Sequence, residues 1–234
     1  QVELRIVAHM AQDQAMIKAF REGQDIHAAT AAAIEDIPLS QVTKQQRRHA
    51  KAINFGLIYG MSPYGLTRTT DLTLAEAENF VREYFREFPG VKQWLNNTRL
   101  AASKQGYVET LLGRRRYFPA LAAGTNYMIR QREEREAINA PVQGTAADII
   151  KLAMIQLPDA LAKAGLKTCM LLQVHDELIF EVPVEEIESA TKLVKQVMES
   201  AYQLSVPLVT EARVGDNWGE LTVIDPDAPV LEEG

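Results

Sequence analysis

The segment LLQVHDELIFEVP, residues 171–183, places three ionisable side chains in the middle of an apolar stretch. Its two halves have the composition of β-strands, and they flank His175, Asp176 and Glu177. Burying an uncompensated carboxylate is costly, so a strand interior is a poor place for these groups. The turn of a β-hairpin can hold them. The segment therefore predicts an antiparallel hairpin with its carboxylates at or beside the turn.

Helical periodicity dominates the chain before this hairpin, and a strand, a helix and a strand make up the part around and after it. The predicted helices lie at 2–11, 13–23, 25–34, 43–59 (capped by Thr43), 73–88, 126–140 and 185–204, with a hairpin at 107–118 that turns at Gly113 and a last strand at 207–215. Pro141 should bend or restart the helix that contains it. This order predicts an α+β fold in which a helical subdomain stands on an antiparallel sheet.

Composition limits the class of protein. The chain has 234 residues, 47% of them apolar and 24% charged, which suits one large domain or two intimate subdomains. Its one cysteine, Cys169, excludes an internal disulfide, and its four histidines lack the spacing of zinc ligands. No apolar run has the length of a membrane span, and no signal-peptide pattern is present. We expect an intracellular protein with no membrane partner.

Charge is unevenly distributed along the chain. The net charge is -6, yet KQQRRHAK (44–51), GRRRYF (113–118) and IRQREER (129–135) are basic islands. Such islands can contact phosphates, or they can be solvated helix faces. Charge alone favours solvated faces.

A stripe of four side chains recurs at four-residue intervals in the predicted helix 43–59: Arg47, Lys51, Phe55 and Tyr59. Two cations followed by two aromatic rings suit a nucleotide, with phosphates at one end and base and sugar at the other. The alternative is an amphipathic helix with core aromatics and solvated cations.

The acidic pair of the hairpin suits a metal. Asp176 and Glu177 offer the carboxylate oxygens that Mg²⁺ prefers. The alternative is a pair of turn acids that point to water. The apolar residues on both sides favour the metal site.

A second polar row, Arg135, Asn139 and Gln143, also has four-residue spacing. Its donors suit the base N3 and O2 acceptors of the DNA minor groove, which every Watson–Crick pair presents. A polar helix face is the alternative, and the row by itself favours that alternative.

Together these segments resemble the family A DNA polymerases, most closely the bacterial DNA polymerase I type. RRHAKAINFGLIYGMS (47–62) looks like the nucleotide-binding helix of the fingers, and QVHDELIFEVP (173–183) like the catalytic hairpin of the palm. NAPVQGTAADIIK (139–151) looks like the palm helix along the primer-template minor groove. GQDIHAATAA (23–32) looks like a fingers segment near the triphosphate, and QVELRIVAHMA (1–11) like the end of a further motif.

The resemblance implies template-directed DNA synthesis, the transfer of dNTPs to a primer 3′-hydroxyl at a site with two Mg²⁺ ions. The catalytic residues it implies are Asp176, Glu177 and Lys51, of which Asp176 and Glu177 bind metal. The nucleotide-binding residues it implies are Arg47, Lys51, Phe55, Tyr59, His27, Glu3 and Gln1. The residues it implies for primer-template DNA are Arg135, Asn139, Gln143 and His175. Glu3 would crowd the sugar 2′ position and form a hydrogen bond with Tyr59.

The resemblance also implies a right-hand polymerase architecture without a thumb in this chain. Residues 1–12 would be the remainder of a palm motif, 13–125 the fingers and 126–234 the palm. The family's motif begins with a metal-binding aspartate three residues before the position of Gln1. We therefore expect an N-terminal segment of the same polymerase to supply that aspartate. The resemblance to bacterial polymerases also implies a cytoplasmic protein located at the nucleoid.

Three alternatives stay open. A catalytically incomplete fragment would bind DNA and nucleotides, and primer-template binding without extension would identify it. A single-subunit RNA polymerase relative would incorporate ribonucleotides, although Glu3 facing Tyr59 argues for deoxyribose. A metal-dependent phosphohydrolase unrelated to polymerases would leave the stripe of Arg47 to Tyr59 unexplained.

Overall fold

The structure is a computed structural model, and it describes residues 2–122 and 126–225. Its helices are α1 (Val2–Ala11), α2 (Gln14–Arg21), α3 (Ile26–Glu35), α4 (Lys44–Ile58), α5 (Pro63–Thr67), α6 (Leu74–Glu87), α7 (Pro89–Gln105), α8 (Pro119–Ala122), α9 (Tyr127–Lys163) and α10 (Ile187–Ser200). Its strands are β1 (Tyr107–Glu109), β2 (Arg115–Tyr117), β3 (Cys169–Val174), β4 (Glu177–Glu181), β5 (Ala212–Val214) and β6 (Thr222–Ile224). The predicted α+β class is confirmed. None of the described helices combines the length and apolarity needed to cross a membrane.

The described strands form three separate antiparallel ribbons, β1–β2, β3–β4 and β5–β6, rather than one sheet. The predicted last strand at 207–215 was too long, because only Ala212–Val214 is a strand. Side chains of α10 bind the backbone just before it: Glu199 accepts the Thr210 N–H at 2.7 Å, and Lys195 donates to the Thr210 carbonyl at 2.6 Å. Those backbone groups are therefore not available to a strand partner. The pairing strand β6 was not predicted.

The chain divides into two compact units. The described residues up to Ala146, together with Leu204–Pro207, form the first unit, and the remaining described residues form the second. The first has a helical core whose largest fully buried side chains include Tyr84, Phe20, Leu4, Ile6 and Ile53. The second buries apolar residues of the C-terminal part of α9 and of α10, including Leu157, Leu161 and Ala190. The predicted fingers and palm boundaries stay predictions.

Helix α9 runs without interruption for 37 residues, through both Pro141 and Pro158. The expectation that the helix bends or restarts at Pro141 was therefore wrong. An internal proline costs about 3 kcal/mol or more because it removes one hydrogen bond and crowds the preceding turn. Pro141 is buried, and Ile138 and Val142 beside it are 0% and 1% exposed. Packing of this segment offsets the cost of the proline.

Helix α4 begins with a capping box at Thr43, the residue that the sequence predicted as its cap. The Thr43 hydroxyl accepts the Gln46 N–H at 3.2 Å, and the Gln46 side chain accepts the Thr43 N–H at 2.8 Å. After the helix ends, Gly60 adopts a φ of 71°, which favours glycine. A Cβ at Gly60 would lie 3.2 Å from Cγ of Arg135 and 3.4 Å from Cδ1 of Ile138. The end of α4 is therefore fixed against α9.

Candidate functional site

The predicted stripe on α4 is present as one surface. Arg47 and Lys51 are exposed, and Phe55 and Tyr59 are half-buried. The two ring centroids lie 6.3 Å apart. Because the rings keep part of their surface open, the stripe differs from the alternative in which the aromatics are core residues.

Asp25 holds the first cation of the stripe. Its Oδ2 accepts a hydrogen bond from Nε of Arg47 at 2.7 Å, and its Oδ1 caps α3 by accepting the N–H groups of His27 and Ala28 at 2.9 and 3.1 Å. Burial acts to raise the pKa of Asp25, but the bonds from Arg47 and the two amides outweigh it and lower the pKa. Sequence reasoning missed Asp25, although an aspartate just before a helix is a recognisable N-cap.

His27 lies in a buried polar network. The ring is 2% exposed and its centroid is 5.7 Å from that of Phe55. Its Nδ1 is 3.1 Å from Nδ2 of Asn54, which also contacts Oγ1 of Thr30 at 3.0 Å. The pKa of His27 is lowered to about 4, chiefly by burial; Asp25 opposes this lowering, and Arg47 adds to it. The predicted nucleotide-site histidine is therefore covered and neutral at pH 7.

Tyr59 joins three parts of the first unit. Its hydroxyl donates to Oε2 of Glu3 on α1, so the predicted contact between these residues is present. The hydroxyl also forms a hydrogen bond with the side chain of Gln143 on α9. Burial, followed by the bond to Glu3, raises the pKa of Tyr59 well above its usual range. Tyr59 thus donates a hydrogen bond to Glu3 and stays protonated near neutral pH.

The predicted DNA row keeps helical spacing because α9 continues through Pro141. Arg135 and Gln143 are exposed, and Asn139 is half-buried. Oδ1 of Asn139 is buried and has no hydrogen-bond partner among the described residues. The row therefore presents an arginine and two amides along one helix.

A groove of about 180 Å³ adjoins this row, between α9 and the β1–β2 ribbon. Its lining residues are Val108, Glu109, Thr110, Arg114, Arg115, Arg116, Ala140, Gln143 and Gly144. The ribbon and α9 are in close contact, since a Cβ at Gly144 would lie 2.6 Å from Cγ2 of Thr110. The basic island GRRRYF is thus next to Gln143, a proximity that spacing in the sequence does not show.

The predicted β3–β4 hairpin is present in the second unit. Val174 pairs with Glu177, so His175 and Asp176 form the turn. His175 has a φ of 54°, a conformation that costs a non-glycine residue about 1–2 kcal/mol. Nε2 of Gln173 donates a hydrogen bond to the backbone carbonyl of His175 at 2.5 Å, and this bond supports the turn.

Exposure distinguishes this hairpin from a buried strand pair. The side chains of His175, Asp176 and Glu177 are exposed, and Leu171 and Leu172 of β3 are 54% and 52% exposed. Among the described residues, no side chain forms a hydrogen bond or ion pair with either carboxylate of the turn. The apolar sequence of β3 had suggested a more buried strand.

The two carboxylates fit part of a magnesium site. Mg²⁺ commonly binds one or two protein carboxylates and completes its coordination with water and substrate phosphates. The described residues contain no group of three or more His, Cys, Asp or Glu side chains arranged to hold a metal. Asp176 and Glu177 can therefore supply two ligands, and any further protein ligand must come from elsewhere.

The predicted site residues fall into two groups, each within one unit. The group in the first unit comprises Glu3, His27, Arg47, Lys51, Phe55, Tyr59, Arg135, Asn139 and Gln143. The group in the second unit comprises His175, Asp176 and Glu177. Gln1 lies outside the described residues.

Sequence comparison finds one family over most of the chain. The model of DNA polymerase family A matches residues 1–220. DNA polymerase I of Geobacillus stearothermophilus is 50% identical over 218 residues, which are 93% of this chain and 25% of the relative. DNA polymerase I of Pseudomonas aeruginosa is 48% identical over 94% of this chain and 24% of its own length. The thermostable DNA polymerase I of Thermus aquaticus is 46% identical over 93% and 26%. The chain thus spans about a quarter of the length of these relatives.

Structure comparison gives a consistent result. The structure of the POL domain of Pol1 from M. smegmatis, in complex with DNA primer-template and dNTP, superimposes with a TM-score of 0.85. It is 45% identical in sequence, and the match covers 89% of this chain and 36% of that one.

Proposed function

The chain belongs to DNA polymerase family A, and on that basis we propose that it binds the incoming dNTP and contributes metal-binding carboxylates to template-directed DNA synthesis. The observation that carries the proposal is the α4 stripe, which ends in the contact between Tyr59 and Glu3. A stripe of this kind suits a nucleotide, and the carboxylate beside its aromatic end suits discrimination between sugars.

In the proposed nucleotide site, Arg47 and Lys51 hold the triphosphate. Both are exposed cations one helical turn apart on α4. Lys51 also stabilises the negative charge that develops on the leaving pyrophosphate. Phe55 packs against the sugar and base.

Discrimination against ribose is assigned to Glu3. The hydrogen bond from Tyr59 fixes the carboxylate, so that it would crowd a sugar 2′-hydroxyl. Gln143 shares the hydroxyl of Tyr59, which supports a role for α9 in placing this end of the site.

Asp176 and Glu177 are the proposed metal ligands, with Asp176 the stronger of the two. When bound, Mg²⁺ would lower the pKa of the primer 3′-hydroxyl and neutralise the triphosphate charge. The exposed, unpaired carboxylates of the turn support this assignment, since a cation would relieve their mutual repulsion. A further aspartate from another segment of the polymerase is proposed to complete the ligand set.

Primer-template DNA is the proposed macromolecular partner. The row Arg135, Asn139 and Gln143 would donate to minor-groove acceptors without reading sequence, and His175 would contact the primer strand. The matched relatives are bacterial enzymes. Their source supports our proposal of a cytoplasmic protein that works at the nucleoid.

A chimaera tests the proposed function. This chain would replace the corresponding quarter of the Geobacillus stearothermophilus polymerase, and Mg²⁺-dependent primer extension would be measured. We expect templated addition of dNTPs, with ribonucleotides excluded. A folded chimaera that binds primer-template but does not extend it would favour the catalytically incomplete fragment instead.

A further inference from the structure

Three polar side chains are buried between α3 and α4, and their hydrogen bonds form a closed network. Thr30 and Asn54 are 0% exposed and His27 is 2% exposed. The Thr30 hydroxyl lies 2.7 Å from the carbonyl of Ile26 and 3.3 Å from Oδ1 of Asn54, and its one proton goes to the nearer acceptor. It must therefore accept the hydrogen bond from Nδ2 of Asn54 at 3.0 Å.

This network determines which nitrogen of His27 carries a proton. The amide nitrogen of Asn54 has two hydrogens and cannot accept. One hydrogen points to Thr30, and the other points to Nδ1 of His27 at 3.1 Å. Nδ1 must accept this bond, so it has no proton.

We propose that Asn54 is a positioning residue that holds His27 as the neutral tautomer with its proton on Nε2, making the histidine an uncharged donor for the nucleotide site. The donor role rests on the proposed function, whereas the tautomer rests on the network alone. A neutral donor adds no positive charge beside Arg47 and Lys51, so their attraction for phosphate is kept without repulsion among the three groups.

The charged groups around His27 favour this state. The pKa of His27 is lowered to about 4; burial is the largest cause, and Arg47 and Lys51 contribute to the lowering. Asp25, which caps α3, acts in the opposite direction. Because the pKa is lowered, the ring stays neutral above about pH 5, whereas an unperturbed histidine titrates near pH 6.5.

NMR of the histidine side chains tests the proposal on the full 234-residue chain. Long-range ¹H–¹⁵N spectra distinguish the two neutral tautomers from the charged ring, and His27→Gln assigns the signals. We expect His27 to remain the Nε2–H tautomer from pH 5 to pH 8. An Nδ1–H tautomer, or a charged ring at pH 6, would overturn the proposal without the need for a folded variant.

Asn54→Asp tests the role of the amide directly. A carboxylate accepts rather than donates, so Nδ1 should take up a proton, and the pKa of His27 should rise from about 4 to between about 5 and 7, since an adjacent anion raises a pKa by about 1–3. Asn54→Gln keeps the donor and should retain the Nε2–H tautomer. Unchanged His27 signals in folded Asn54→Asp would show that Asn54 does not set the tautomer.

Titration with dTTP separates this inference from the proposed function. Binding should perturb the Nε2 signal of His27 if the histidine serves the nucleotide site. If dTTP does not bind the chain, the proposed function and the donor role fail together, whereas the tautomer is judged from the spectra recorded without nucleotide.

Discussion

The α4 stripe and the β3–β4 turn both present charged side chains, but only the stripe is organised by neighbouring residues. Asp25 holds Arg47 at 2.7 Å, and Glu3 holds Tyr59. In the turn, by contrast, the carboxylates of Asp176 and Glu177 have no partner among the described residues. The proposed nucleotide site is thus preorganised, whereas the proposed metal site at the acidic turn would depend on a cation from outside the chain.

This difference predicts which substitutions should lower catalytic activity alone and which should also lower the stability of the folded protein. The turn carboxylates have no partner among the described residues, so if they bind metal as proposed, their replacement should affect catalysis and leave folding unchanged. Changes to Arg47 or Tyr59, which have the partners Asp25 and Glu3 within the protein, should affect both.

The largest effect is expected from Asp176→Asn in a polymerase that contains this chain. A metal ion contributes several kcal/mol to transition-state stabilisation, so loss of a ligand should lower kcat by about 10³-fold or more. Primer-template affinity and the melting temperature should not change. Single-turnover extension measures the effect, and Glu181→Gln at the far end of the same hairpin is the matched control. Extension within a few-fold of wild type at saturating Mg²⁺ would refute the metal assignment.

Lys51→Ala should have the next largest effect. Removing one group that stabilises developing charge typically costs about 10²-fold or more in rate. Because Lys51 is exposed, the folded state should keep its stability. Steady-state kinetics with each dNTP measures the loss, and Lys44→Ala in the first turn of the same helix should be neutral. Equal kinetics for the two variants would mean that the cations of α4 are only a solvated face.

Glu3→Ala should weaken sugar discrimination. Removing the carboxylate that crowds the 2′ position should raise the ratio of ribonucleotide to deoxyribonucleotide incorporation by about 10- to 100-fold, which corresponds to about 1.4–2.8 kcal/mol. Tyr59→Phe, which leaves the carboxylate without its donor, should give a smaller rise. If Glu3→Ala left the ratio unchanged, Glu3 would be a structural partner of Tyr59 and nothing more.

The regions that the sequence predicted best are those where local chemistry decides the structure. Thr43 could be recognised as a helix cap, and the ionisable residues 175–177 could be placed at or beside a turn. Both predictions follow from residues that are close in the sequence. The uninterrupted helix at Pro141 could not be predicted, since burial in the folded protein decided it.

The contacts of the site show the same division. The row of Arg47, Phe55 and Tyr59 was visible from four-residue spacing, but Asp25, the partner of Arg47, comes from tertiary packing of α3 against α4. The bond between Glu3 and Tyr59 was expected only because of the family resemblance. Spacing within a helix is local information, whereas the partner on another helix is not.

A smaller effect on DNA binding is expected from substitutions in the groove between α9 and the β1–β2 ribbon. Arg115→Gln should reduce the slope of log affinity against log salt concentration by about 1 if Arg115 contacts a phosphate. Arg213→Gln is the matched control, because each arginine lies on a short strand and pairs with a glutamate at 2.6 Å. Fluorescence anisotropy with primer-template DNA measures both slopes. Identical slopes would place the groove outside the DNA interface.

The smallest expected effect is a pH dependence of stability that arises from Asp25, the partner of Arg47. The pKa of Asp25 is lowered in the folded protein, since bonds from Arg47 and two backbone amides outweigh the effect of burial. The resulting stabilisation is present above the unfolded pKa of about 3.9 and is lost as the pH falls through the folded value.

Asp25→Asn isolates this contribution, because asparagine caps a helix about as well as aspartate but cannot ionise. The side chains of Arg47 and Asp25 are 44% and 39% exposed, so solvent screens the pair. We therefore expect the wild type to be more stable by less than about 1 kcal/mol at pH 7. That difference should shrink as the pH falls below about 3.9 and through the lowered folded-state pKa of Asp25, as measured by urea unfolding at several pH values. A difference that stayed constant from pH 7 to pH 3 would show that ionised Asp25, paired with Arg47, does not contribute to the stability of the folded protein.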